Sequence, residues 1–222
     1  MRFSKQLFYV SLLFVLPCAA FASHSESLAY LFPSRTVYFG VNMGGGYTTW
    51  QYLIDQIDQG DPQPTLPVAV HEGGPSWGVV FGFDVAKNFS IELQYMQFAD
   101  AHIQFGPNSA YFDQNGNQIF NMVSKTDAYS LSGKFFVPVG IRTHLRAFAA
   151  IGVGTVERKD IINDTSCVTP YMSTGLDYNF TRHWILESGF QYYTGFGASE
   201  VAPVDDFVPF AWDGYVRLAY QL

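Results

Sequence analysis

The chain has 222 residues, of which 48% are hydrophobic, 18% aromatic and only 14% charged, with 12 basic residues against 19 acidic ones for a formal net charge of −7. That acidic balance excludes a nucleic-acid footprint, and no apolar run of about 18 residues beyond the first 22 provides a helical membrane span. Cys18 and Cys167 are the only cysteines. If the first 22 residues are removed, Cys167 has no partner in its own chain and a disulfide framework is excluded as well.

Residues 1–22 read as a secretory signal peptide. Arg2 and Lys5 form a basic start, Leu7 to Leu16 an apolar run, and Ala20-Phe21-Ala22 a small-residue cleavage site before Ser23. The apolar run is about half the ~20 residues that a membrane-spanning helix needs. Cys18 follows Pro17 rather than a small residue, against a lipid-acylation signal. Residues 23–35 carry no periodicity and read as a lead-in, and residues 36–222 as one domain.

Within that domain, apolar side chains recur at every second position in one segment after another, the period of an extended strand. Thr36 to Gly46 places Val37, Phe39, Val41 and Met43 on one face. Tyr47 to Pro75, rich in proline and glycine, reads as a long connection that breaks the sheet. Ser76 to Ala86 resumes the alternation, Lys87-Asn88 is a short turn, and Phe89 to Phe98 answers. Asp100 to Ser124 reads as a polar excursion turning at Asn115-Gly116. Thr126 to Val137 and Leu145 to Thr155 form the next pair, and Glu157 to Thr169 reads as a third polar loop. Pro170 to Tyr193 gives two strands joined by a turn at Asn179 to His183. Gly195 to Phe210 is a fourth loop, and Ala211 to Leu222 a closing strand.

Eight such segments of about ten residues have the length of tilted strands crossing a hydrocarbon core. Their connections alternate long and short, as in an up-and-down transmembrane barrel with extended outer loops and brief periplasmic turns. The predicted fold is therefore all-β, an eight-stranded antiparallel transmembrane β-barrel with its apolar face toward lipid and its small and polar face inward. That parity sends Asp84, Glu92, Asp177 and Glu187 into the lumen with Lys134, Arg146 and Arg217. Against lipid, a lysine or arginine near the midplane would cost about 2–4 kcal/mol. Across a narrow lumen, opposite charges offset one another, so their expected role is structural. Glycines beside Tyr38, Phe136, Phe148 and Tyr215 leave room for rings, and eight strands leave no open pore. Trp77, Tyr95, Trp184, Tyr192 and Tyr220 read as an interfacial aromatic girdle.

The last strand, YVRLAYQL, places Val216, Leu218, Tyr220 and Leu222 on the lipid face. Here the chain resembles the small outer-membrane β-barrels, the OmpA-like transmembrane domains. GLDYNFTRHW, Gly175 to Trp184, resembles the sixth-strand turn of such barrels, and Glu92, Lys134, Glu187 and Arg217 resemble their interior ion-pair network. The resemblance implies that the terminal strand is an assembly signal read by the barrel-assembly machinery, with Leu222 where those proteins usually end on phenylalanine. It also implies a monomer in the outer membrane of a Gram-negative bacterium, in contact with outer-membrane lipid and lipopolysaccharide, its loops offered to a host or surface ligand.

Catalytic and metal signals are weak. His71, Glu72 and Ser76 lie near one another at a loop–strand boundary, and His24-Ser25 precedes the barrel, but no strand carries the His-x-Ser pair of barrel-shaped lipid A deacylases. Asp55, Asp58 and Asp61 lack the alternation and turn glycine of a calcium loop. His102, His144 and His183 have no ligand spacing. The expectation is a non-enzyme without metal or cofactor. Its role is structural or interactive, the alternatives being a narrow conduit for apolar ligands, suggested by interior Val80, Met96, Phe136 and Phe148, and a lipid A hydrolase or acyltransferase.

Overall fold

A computed structural model of the chain describes residues 35–55, 64–113, 115–140, 144–197 and 203–222. The expected signal peptide, Asp58, Asp61 and His24-Ser25 lie outside these residues. Among the described residues ten strands follow in order: β1 (Val37–Thr48), β2 (Pro67–His71), β3 (Gly74–Ala86), β4 (Phe89–Gln97), β5 (Ala101–Phe105), β6 (Asn121–Pro138), β7 (Leu145–Lys159), β8 (Asp164–Asn179), β9 (Trp184–Tyr193) and β10 (Ala211–Gln221). Two short helices, α1 (Gln51–Asp55) and α2 (Pro203–Asp206), lie in the first and last long connections.

Eight of the strands close into an antiparallel barrel in the order β1-β3-β4-β6-β7-β8-β9-β10. The ring is sealed by β10 on β1, in register from Tyr38 opposite Gln221 to Thr48 opposite Ala211. Closure leaves no barrel edge without a backbone partner, the condition a sheet must meet where water is absent. The outward set is apolar and exposed, with Met43 at 69%, Ile151 at 67% and Leu93 at 57%. A continuous apolar belt of this kind around a closed barrel faces lipid rather than water. The face assignment holds along every barrel strand.

The polar segments between strands differ from expectation. Pro67–His71, expected to break the sheet, is a strand paired with β5, and β5 in turn pairs with the first residues of β6. Glu157 to Thr169, expected as a loop, is mostly strand: β7 and β8 continue their pairing to Lys159 opposite Asp164, leaving only residues 160–163 as the turn. There the Asp160 carboxylate accepts the N–H groups of Ile162 and Asn163 at 2.9 and 3.0 Å. The reason is a change of solvent. Beyond the lipid belt the outward positions no longer need apolar side chains, so polarity there does not mark a strand's end.

At the expected Asn115-Gly116 turn, Gly116 has φ +79°, and the Asp113 carboxylate accepts the N–H groups of Asn115 and Asn117, each at 2.8 Å. Those bonds, that from Asn117 first, hold the Asp113 carboxyl below its usual range.

On the inner wall, rings lie over glycines of the neighbouring strands, Tyr38 opposite Gly82 and Phe148 opposite Gly175. A Cβ on Gly82 would stand 2.1 Å from the Tyr38 ring, and one on Gly175 or Gly189 would lie 2.9 or 3.0 Å from the Phe148 ring. Outward-facing Gly214 has nothing nearer than 4.0 Å. Gly82→Val should therefore lower the unfolding free energy by roughly 1–3 kcal/mol. Gly214→Val should leave it unchanged. Urea unfolding of the refolded barrel, followed by its heat-modifiable gel mobility, separates the two, and equal effects would contradict the packing described.

Candidate functional site

Among the described residues, the side chains that could act on anything lie in two places, the lumen and the outer end. In the lumen, Glu92 on β4, Lys134 on β6, Glu187 on β9 and Arg217 on β10 meet in one group, each almost fully buried. The ammonium of Lys134 bridges Glu92 Oε1 at 2.8 Å and Glu187 Oε2 at 2.5 Å. Arg217 spreads its three nitrogens over four acceptors: Nη1 to Glu92 and Glu187 at 2.9 and 3.2 Å, Nε to Asn42 Oδ1 at 2.6 Å, and Nη2 to Gln94 Oε1 at 2.8 Å. Hydroxyls complete the shell, Tyr38 donating to Glu92 at 2.5 Å and Tyr215 to Glu187 at 2.7 Å. Two acids and two bases thus neutralise one another with their polar atoms engaged, the arrangement that makes burial of ions tolerable.

Nearer the short turns, Arg146 and Asp177 form a separate pair at 2.8 Å, and the Arg146 guanidinium lies 3.8 Å from the Phe136 ring centroid. Of the seven expected lumen charges, Asp84 alone forms no ion pair among those described. Its carboxylate accepts from the hydroxyls of Ser90 and Thr36 at 2.9 and 3.2 Å and from the Gln221 amide at 2.9 Å. Phe148 fills the gap left by Gly175 and Gly189 and packs 4.1 Å beneath the Lys134 ammonium, a cation–π contact.

Above the charged group the lumen continues through Gln94, Gln191, Tyr171, Tyr193 and Ser130, hydrogen-bonded to one another, and then becomes apolar. Met96, Phe98, Ala128, Val156 and Val208 close its outer end. A further core lies beyond: Trp50, Leu53, Ile103, Phe105, Tyr111, Met122, Val204 and Phe207, drawn from three connections, pack together outside the lipid belt.

Arg158 on β7 ties this outer cap to the barrel. Its side chain is fully buried, pairs with Asp160 at 2.5 Å, donates to the carbonyls of Val204 and of Phe207 (2.9 Å), and lies 4.7 Å from the Trp50 ring. Glu72 caps α1, accepting the Trp50 and Gln51 N–H groups at 2.5 and 3.3 Å. Arg158 falls in the polar stretch Glu157 to Thr169 that the sequence predicts as a loop, although it lies on β7. The signal was there: Val156 and Arg158 continue the inward parity of Gly152 and Gly154.

The suspected catalytic grouping is not assembled. His71 is exposed on the outside, Glu72 caps the helix, and Ser76 donates to Asp213 inside the barrel at 2.9 Å. His144 and His183 bond the carbonyls of Asn179 and Gln221 at the turn end. The five aromatics expected as a girdle face outward in two groups. Trp77, Tyr95 and Tyr192 lie at the loop end, with Trp77 and Tyr95 edge to face at 5.9 Å. Trp184 and Tyr220 meet at the turn end at 5.1 Å. Val216, Leu218 and Leu222 are exposed on the outer face beside Tyr220.

Comparison with known proteins agrees with this architecture. The family model described as the OmpA-like transmembrane domain matches residues 33–215. The chain belongs to that family, and is an outer-membrane β-barrel of a Gram-negative bacterium. Among solved structures it is similar to Neisserial surface protein A, at 8% identity and a TM-score of 0.52, over 84% of this chain and 97% of that one. It is also similar to the N-terminal barrel domain of Pseudomonas aeruginosa OprF (10% identity, TM-score 0.48, 85% and 98% covered) and to OprG from the same organism (11%, 0.49, 85% and 97%). No curated protein matches it in sequence.

Removing one member of the lumen group leaves an uncompensated buried charge. Lys134→Met should cost about 3–5 kcal/mol of stability, and Lys134→Met with Glu187→Gln, which restores neutrality, should recover part of that loss. Urea midpoints of the refolded proteins measure both, and a wild-type midpoint for the single variant would show that the ion is dispensable. Arg158→Leu should leave the barrel intact but speed protease cleavage between Thr194 and Phe210 in whole cells.

Proposed function

We propose that the protein acts as a rigid monomeric anchor whose outer cap is its working surface, a structural and surface-interaction role rather than transport or catalysis. The observation that carries this reading is the filled lumen, with paired charges and hydrogen-bonded polar side chains through its middle and apolar side chains closing its outer end. An ion or apolar solute crossing the barrel would have to displace the Lys134–Glu92–Glu187–Arg217 group and then Met96, Phe98 and Val208. The ordered outer core gives the surface a fixed shape, as recognition of a host or surface ligand requires. Lipopolysaccharide surrounds the aromatic girdle and the cap base. Val216, Leu218, Tyr220 and Leu222 serve in this reading as the strand presented to the barrel-assembly machinery, and Asp84, Glu92, Lys134, Arg146, Asp177, Glu187 and Arg217 as interior scaffolding.

In planar bilayers the refolded protein should give no step current above background; discrete openings would favour a narrow channel instead. The mass spectrum of lipid A from cells expressing the protein should match that from cells lacking it. A change in acylation would replace the proposal with an enzymatic one.

A further inference from the structure

Outside the lumen and the cap core, one pair of chemically capable side chains stands apart. In the antiparallel pairing of β2 with β5, His71 is directly opposite His102. The preceding pair, Val70 opposite Ile103, turns inward, where Ile103 is buried in the outer core and Val70 packs against it. The histidines consequently share the opposite face, and both are exposed. Directly opposed residues hold their Cβ atoms about 4.5–5.5 Å apart, which lets two imidazoles converge on one ion. Unlike His144 and His183, whose rings bond main-chain carbonyls, neither ring is engaged with a described neighbour.

We infer that His71 and His102 form a cross-strand chelate for a first-row transition-metal ion on the outer surface of the cap. The two ligands are positioned before the ion arrives, because β5 is held between β2 and β6 and rooted in the core by Ala101, Ile103 and Phe105. Binding therefore does not have to order the second ligand, the origin of chelate affinity. Among the described residues no third histidine, cysteine, aspartate or glutamate joins them. Glu72, next in sequence, is turned to the α1 amides. Water completes the coordination sphere. Such a site suits Cu²⁺, Ni²⁺ or Zn²⁺, which accept imidazole, and not Mg²⁺ or Ca²⁺, which require oxygen ligands. Bound metal would tie β2, the last strand of the cap sheet, to β5.

The test uses the full barrel, refolded in detergent, stripped with EDTA and titrated with Ni²⁺ or Cu²⁺ by calorimetry. The expected result is one ion per barrel, with no heat from Mg²⁺. His71→Ala and His102→Ala should each weaken binding by about tenfold or more, and the double variant should bind no better than either. Both rings are exposed, so the variants keep the wild-type heat-modifiable gel shift. Absence of binding, or wild-type affinity in either single variant, would overturn the site. So would an equal loss on replacing His144 or His183.

Discussion

Everything in this molecule follows from the cost of an unpaired peptide group in hydrocarbon. A strand that enters a bilayer must hydrogen-bond on both sides, and for a sheet the only complete solution is a ring. β10 meeting β1 along eleven residue pairs is that solution here. Once the ring has eight strands, its interior is too narrow for a water column and too large to leave empty, and side chains must fill it. Glycines admit the Tyr38 and Phe148 rings, and serines line much of the remaining wall.

Buried ions are a poor source of stability in themselves, because desolvation consumes most of what their attraction returns. Their value here is geometric. The alternative to facing inward is facing lipid, which is worse, and each inward charge fixes the rotation of its strand. The outer cap is organised on the opposite logic. It is a small water-exposed core with apolar side chains inside, polar ones outside, and one buried arginine stitching together carbonyls from a distant connection.

That inversion explains what could be read from the sequence. The eight barrel strands and their faces were legible, because lipid imposes apolar residues at every second position: Leu186, Phe190, Val216 and Leu218 admit no other side. The lumen charges were legible from the same parity, although their partners were not, since pairing depends on strand register and, for Lys134–Glu187 and Arg217–Glu92, on which strands face each other across the ring. At the rim the apolar face changes sides. In β5, Ala101, Ile103 and Phe105 point inward while His102 and Gln104 point out, and in β7, Val156 and Arg158 point inward past outward Glu157 and Lys159. A search for one parity sees an interruption there, which is why β2, β5, Arg158 and the outer ends of β6 to β8 read as loops.

The chain order of the four central charges carries a consequence for how such a barrel enters the membrane. Glu92 and Lys134 sit on β4 and β6, adjacent strands from the first part of the chain; Glu187 and Arg217 face each other directly on β9 and β10, from the last part. Each of these two strand pairs therefore arrives with its own acid and base already side by side, so neither pair brings an uncompensated charge from this group. The bonds from Lys134 to Glu187 and from Arg217 to Glu92 join the two segments and form only as the circle completes. The electrostatic reward of those two bonds is thus withheld until the final seam is made, which disfavours half-built sheets.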